Sequence, residues 1–469
     1  MDYKPRIGIL FITSGWFRSV GLQSAESSFS EDVERIGREI VLKLSEFIDP
    51  VYPGVIFSEL SAVQAASEFK EQGIDGLIVS PLMWCEDQIL RAAIRELPAL
   101  PLILCTFLPY ATLPAFLSYT EMLKGSGTVG TLQVSGLLKR EGLNYQVVTG
   151  YYMDPEVYTV IRDYCNAIKV KAALHNAVAG VLPFPCNQMS ATWADEFNIR
   201  KLYGVEYKYL EISRFYNTAQ AVKDREISEF RQAINEKGYK IEVGDRDLVE
   251  GIRYALAMEK IVLSENIDIF CINDIIDEMH SVTGLRPSLY NPRLSESGVV
   301  VAMESDIPGG IGMFILRSFT GEIPFFTEIL TADLAMNSLV LGHAGYHEAV
   351  NHDPKYPLKI VPDVEYKTTD RFTGAVTCLK YKPGDVTLVN SVYNGTKLRF
   401  TALEGLSVDC PPKLEDTNHL ICRLNIPVAD FFDKAMKIGS SQHFIVIPGK
   451  YCDSLGRLCQ CMDIEFNRL

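Results

Sequence analysis

Four residues combine ligand chemistry with apolar surroundings: Glu304, Glu328, His343 and His443. Two carboxylates and two imidazoles suit a single divalent cation and leave positions open for substrate oxygens. Paired carboxylates can also move protons on and off reacting atoms. Glu304 ends the apolar run 298–303 and is followed by Ser305, Asp306 and then Pro308-Gly309-Gly310. It reads as a carboxylate at the end of a buried strand, beside a flexible loop, where α/β proteins place their ligands. Glu328 lies in PFFTEI, His343 in LVLGHAG and His443 in QHFIVIPG. In such apolar sequence an unpaired carboxylate is expensive. The intervals of 24, 15 and 100 residues match no local metal motif. Spacing alone therefore favours a plainer reading, in which both glutamates cap ordinary elements and the histidines are satisfied core residues.

Other candidates are weaker. Trp16, Arg18 and Trp84 follow strands near the N-terminus, in positions suited to a ligand-facing loop. A tryptophan can stack on a sugar face and an arginine can meet an anion, but core packing explains the aromatics equally well. Asn187 and Gln188 follow another strand and offer amides to hydroxyl groups. His343 and His347, four apart, fit one helix face, with His347 as a supporting or surface residue, and position 344 is alanine, which rules out HExxH. Residues 125–130 match GxGxxG, but no buried strand precedes them, so a glycine-rich helix start is the better reading and no nucleotide is expected.

The elements that must position these residues alternate regularly at first. Residues 6–12, 74–80, 101–107 and 145–149 read as strands, with a further one near 55–57, and helical spacing runs between them. The pattern restarts near residue 170, with strands at 178–182, 205–212 and 267–272 and a helix over 247–263. After about residue 355 prolines cluster, and short β-rich runs at 375–381, 386–389 and 397–403 alternate with turns such as Asn394-Gly395. A short helix, a strand led by His443 and a last helix at 453–462 close the chain. The expected architecture is α/β: two Rossmann-like, doubly wound domains at 1–170 and 171–303, then a β-rich, antiparallel barrel-like region at 304–469.

The chain has 469 residues, 47% hydrophobic and 22% charged, with a net charge of −14. That length implies more than one core. That charge argues against general affinity for nucleic acid or an anionic membrane. No secretory signal and no membrane span is read. The eleven scattered cysteines, with no paired CxxC, fit reduced thiols in a cytoplasmic protein.

Taken in order, AMESDIPGG, PFFTEI, LVLGHAG and QHFIVIPG resemble the L-fucose isomerase / L-arabinose isomerase superfamily, with a matching layout over nearly the whole chain. The resemblance implies that Glu304 and Glu328 are acidic metal ligands that also transfer protons. It makes His443 a further ligand and His343 the histidine ligand of the arabinose branch. The gap between the acids is closer to the fucose branch, which usually has Asp at the position of Glu328. The chain is thus similar to both branches and typical of neither. Also implied are Mn²⁺, or another divalent ion such as Mg²⁺ or Co²⁺, and a homo-oligomer, trimer or hexamer, with active sites completed by a neighbouring subunit. The expected activity is aldose–ketose isomerisation of a pentose, 6-deoxyhexose or derivative by enediolate proton transfer, with Glu304 as the carbon base. A sugar-binding or regulatory protein, or a metal-dependent lyase or hydrolase, would use the same fold or ligands.

Overall fold

The computed structural model describes residues 4–20, 29–363 and 371–469. The chain divides into two compact units, 2–172 and 173–469. The division expected at residue 303 runs inside the second.

In the first unit, strands β1 (Arg6–Ile12), β2 (Asp49–Val51), β3 (Gly76–Pro81), β4 (Leu102–Leu108) and β5 (Gln146–Tyr151) form a parallel sheet in the order β2-β1-β3-β4-β5. β1 and β3 are almost wholly buried, as a sheet covered on both faces requires. The order reverses at β1, the strand order of a doubly wound sheet. The strand expected at 55–57 is only a bridge between Ile12 and Ile56. Pro53 supplies no N–H and Gly54 turns to φ +96°, so the edge strand ends before them. Residues 125–130 join the Tyr119–Lys124 helix to the Gly127–Arg140 helix, so no strand precedes the GxGxxG match.

The second unit begins with β6 (Val178–Leu182), β7 (Glu206–Tyr209), β8 (Lys240–Ile241), β9 (Ile269–Ile272) and β10 (Val300–Ala302). Four of these make a parallel sheet in the order β10-β9-β6-β7. β11 (Phe325–Asp333), β12 (Ser338–His343), β13 (Lys359–Pro362), β14 (Ala375–Cys378), β15 (Gly384–Tyr393), β16 (Leu398–Ser407), β17 (Asn418–Leu424), β18 (His443–Pro448) and β19 (Glu465–Arg468) follow. The ring β15-β18-β11-β12-β17-β16 closes through the β15–β16 pair, so six antiparallel strands form a barrel. Its core gathers Phe325, Leu341, Leu388, Leu403, Leu420 and Phe444.

Two expectations need correction. The run at 375–381 is no barrel strand: β14 pairs with β13, which pairs in parallel with β8. The chain also ends in a strand, because β19 adds in parallel to the barrel strand β16. Among the described residues no helix is long and apolar enough to cross a membrane.

The Ile307–Thr320 helix joins the parallel sheet to the barrel. It is apolar nearly all round and buried over most of its length, the pattern of an internal helix. Gly310 lies against Ile269, Cys271 and Ala302 of β9 and β10, and Gly312 against Ser391 of β15 and Ile445 of β18. The helix thereby holds the carboxyl end of β10 against the barrel, and the candidate residues meet at that junction.

Candidate metal centre

Barrel pairing assembles half of the site. Glu328 of β11 stands directly across from His443 of β18, and directly opposed antiparallel residues have neighbouring side chains. On its other side Glu328 faces Gly342, next to His343 at the end of β12. The parallel sheet supplies the rest. β10 stops at Ala302, and Glu304 and Ser305 take left-handed backbone conformations, φ +56° and +50°. Such conformations cost on the order of 1–3 kcal/mol each away from glycine and persist where the surroundings over-determine them. Here the Glu304 N–H donates to Asp274 Oδ1 at 2.9 Å, just past β9.

The four side chains converge. Glu304, Glu328, His343 and His443 each offer one ligand atom, and all four atoms lie within 4.8 Å of one another. His443 Nε2 is 3.0 Å from Glu304 Oε2 and 3.7 Å from Glu328 Oε1, and His343 Nε2 is 3.7 Å from Glu304 Oε1. His343 Nδ1 donates to the carbonyl of Ala344 at 2.8 Å, which leaves Nε2 as the lone-pair nitrogen. That Nε2 is buried and has no hydrogen-bond partner. The Phe326 ring lies 4.6 Å from His443 and 5.6 Å from His343, an apolar wall against both imidazoles.

The clustered acids and imidazoles shift one another's proton affinities. Burial lowers the His443 pKa, but the hydrogen bonds its ring donates to Asp306 and Glu304 outweigh it and raise the ring to about 10. Burial raises the Glu304 carboxyl, yet the His443 hydrogen bond and the electrostatic pull of the two imidazoles hold it below its ordinary value. Burial alone dominates at His343 and brings it down to about 4. Without a metal, an imidazolium at His443 balances the acids. A divalent ion would take over that role, and the orphaned Nε2 of His343 is a donor already aimed into the cluster. The donor set fits such an ion.

Several surrounding residues were not singled out in the sequence. Asp306 Oδ1 accepts the Gly309 N–H at 2.9 Å, capping the Ile307–Thr320 helix, while Oδ2 accepts from His443 Nδ1 at 2.8 Å. The pattern Asp-x-Pro-Gly is a legible helix start. Its link to His443, 137 residues on, is not. Behind Glu304, burial raises Asp274 to about 6 against the pull of Arg286. Arg286 is buried and pairs with Asp363 through two contacts of 2.6 and 3.2 Å.

The remaining candidates fall in both units. Asn187 and Gln188 are exposed on the turn after β6. The turn lies beside the cluster: Met189 Sδ accepts from Gln442 Nε2 at 2.9 Å, and the Cys186 thiol feels the charge of Glu304. Trp16, Arg18 and Trp84 belong to the 2–172 unit. There the Ser14 N–H donates to the Trp84 carbonyl at 2.9 Å, which joins the loops after β1 and β3. Trp84 Nε1 donates to Gln133, and the Arg18 guanidinium lies 3.9 Å over the Phe57 ring. The helix face suggested for His343 and His347 does not exist, because β12 ends at His343 and a loop follows. His347 is buried, stacks on Phe325 at 4.2 Å and donates through Nε2 to the His343 carbonyl at 3.0 Å.

Comparison with known proteins adds names to this geometry. No family profile matches the chain. It is similar to proteins named sulfoquinovose isomerase from Priestia aryabhattai and Priestia megaterium, at 22% identity over 307 residues. It also resembles one of that name from Alkalicoccus urumqiensis, at 26% identity over 226 residues, covering 45% of this chain and 47% of the relative. The matched region spans 64% of this chain and 66% of the Priestia relatives. Among solved structures, a periplasmic solute-binding protein of Actinobacillus succinogenes 130z with bound D-allose aligns at 11% identity over 68% of this chain and 92% of its own. Its TM-score of 0.17 is too low to bear on the fold.

Proposed function

We propose that the chain is a divalent-metal-dependent aldose–ketose isomerase of the fucose/arabinose isomerase type, acting on a sugar that carries a C6 sulfonate or a comparable substituent. The observation that carries the metal-site reading is the convergence of Glu304, Glu328, His343 and His443 within 4.8 Å. The relatives' name, sulfoquinovose isomerase, supports both the reaction and the substrate class. Mn²⁺ is the proposed ion. A trimer or hexamer whose neighbouring copies complete the site belongs to the same reading.

A divalent ion held by the four residues would supply Lewis acidity toward an open-chain sugar. The protein must do the rest: move one proton between C2 and C1 and another between O1 and O2. Two carboxylates on one substrate suffice for both transfers. Their surroundings divide the work. Glu304 is 6% exposed, and its carboxylate is held by His443. Glu328 is a third exposed, and of the two it has the room to reach a substrate carbon. We therefore assign the carbon proton to Glu328, the reverse of the expectation from sequence, and ligand and hydroxyl-proton duty to Glu304. Phe326 and the buried histidines keep water from the inner side.

The test is NMR in D₂O with the Mn²⁺-loaded protein and sulfoquinovose, L-fucose, L-arabinose and D-glucose. Isomerisation with deuterium entering at the migrating carbon is expected for at least one of them. Glu328→Gln should abolish exchange while retaining metal, whereas Glu304→Gln should lose both. Metal binding with no exchange on any of these sugars would sink the isomerase reading in favour of a binder.

A further inference from the structure

Asp306 occupies an unusual position. One oxygen, Oδ1, caps the helix that joins the two sheets by accepting the Gly309 N–H at 2.9 Å. The other, Oδ2, accepts from His443 Nδ1 at 2.8 Å. The carboxylate is 2% exposed and His443 equally so, which shields the pair from water. Gly309 makes the arrangement possible: a Cβ there would fall 2.3 Å from Asp306 Oδ2.

We propose that Asp306 is a positioning residue that fixes the tautomer and ring orientation of His443, so that Nε2 presents its lone pair to the metal, and that it ties this ligand to the N-terminus of the Ile307–Thr320 helix. This rests on the metal-site reading above. The physical basis is that an imidazole donating one N–H to a carboxylate must offer its other nitrogen as the ligand, and is more basic there. The same side chain sets where the helix starts, so the barrel's histidine and the sheet's Glu304, two residues before the cap, share one register point. Asp306 touches neither substrate nor metal in this role.

Asparagine separates the two duties. It is as good a cap as aspartate. With its amide oxygen on Gly309, it turns an NH₂ toward His443 Nδ1, which must then accept, and the ring proton moves to Nε2, where the ligand lone pair is needed.

The test titrates metal-free full-length wild type, Asp306→Asn, Asp306→Ala and Gly309→Ala with Mn²⁺ by calorimetry. It also records the visible spectrum of each Co²⁺-loaded form and the far-UV circular dichroism. Asp306→Asn and Asp306→Ala are expected to bind Mn²⁺ about 10–100-fold more weakly than wild type. Their Co²⁺ bands should be altered and their helix content native. Gly309→Ala, which keeps every charged group, should move in the same direction. Wild-type affinity and an unchanged Co²⁺ spectrum in both Asp306 variants would overturn the proposal and leave Asp306 a helix cap only. Failure of the wild type itself to bind Mn²⁺ or Co²⁺ would overturn the metal-site reading, and this role with it. The wild-type titration thus tells the two failures apart.

Discussion

Gly310→Ala tests whether the helix between the sheet and the barrel is packed as tightly as its glycines suggest. An added Cβ would lie 2.9 Å from Ile269 Cγ2, 3.0 Å from Cys271 Sγ and 3.2 Å from Ala302 Cβ. Carbon atoms prefer separations of about 3.5–4.0 Å, so the helix must retreat by roughly 0.5 Å or the strands must yield. Overpacking of this kind costs about 1–3 kcal/mol. Exchanging glycine for alanine inside a helix returns about 1 kcal/mol. The net expectation is a loss of about 0–2 kcal/mol, a melting temperature lower by up to a few degrees. The effect on the site should be larger than the effect on stability, because the start of the helix carries Asp306 and, two residues earlier, Glu304. A displacement approaching 1 Å at a reacting group can cost about 100-fold in rate. Gly136→Ala is the control. Its Cβ would meet only the Arg140 guanidinium, at 3.4 Å and beyond, so it should gain up to about 1 kcal/mol. Thermal unfolding and Mn²⁺ titration of both variants make the comparison. If Gly310→Ala is as stabilising as Gly136→Ala and binds Mn²⁺ like wild type, the packing argument is wrong.

Other outcomes follow from buried polar groups away from the four clustered residues. His419 Nε2 accepts backbone N–H groups of Lys413 and Leu414 at 3.0 and 3.4 Å, and Nδ1 donates to Thr417, so the ring must be neutral. Burial lowers its pKa. A depressed pKa contributes stability above the unfolded value of about 6.5 that is lost as pH falls through the folded value. Urea unfolding from pH 8 to 5 should show that loss in wild type and a flatter profile in His419→Phe. That variant should also start about 1–3 kcal/mol less stable from two unsatisfied N–H groups. Equal pH slopes would refute the neutral ring. Asp363→Ala removes the bidentate partner of Arg286, which is 1% exposed. Breaking such a buried pair should cost about 3–5 kcal/mol by chemical denaturation. A loss below about 1 kcal/mol would show that Asp274 alone satisfies the guanidinium.

Local pattern was enough for much of the chain. The buried strands of the two parallel sheets are apolar runs of strand length, and the β-rich C-terminal region announced itself through turn residues and loss of helical period. Elsewhere long-range pairing decided. The run at 375–381 has strand composition wherever it pairs, and only the fold gave β14 to β13, which also pairs with β8. β19 is four residues long and finds its partner some 66 positions upstream in β16. No local period reports that.

The same division holds at the candidate metal centre. By itself the sequence determined which groups were available: carboxylates and imidazoles in apolar stretches, where burial without a counter-charge is costly. Their spacing did not distinguish ligands from satisfied core residues, since 24, 15 and 100 residues are no motif. Only tertiary structure set Glu328 opposite His443 across two barrel strands and brought Glu304 up from a different sheet on a left-handed turn. It alone gave one aspartate both a helix to cap and a histidine to hold. The physical reason is that ligand geometry is fixed by strand register and helix packing between segments far apart in the chain, and these are settled when the whole core closes.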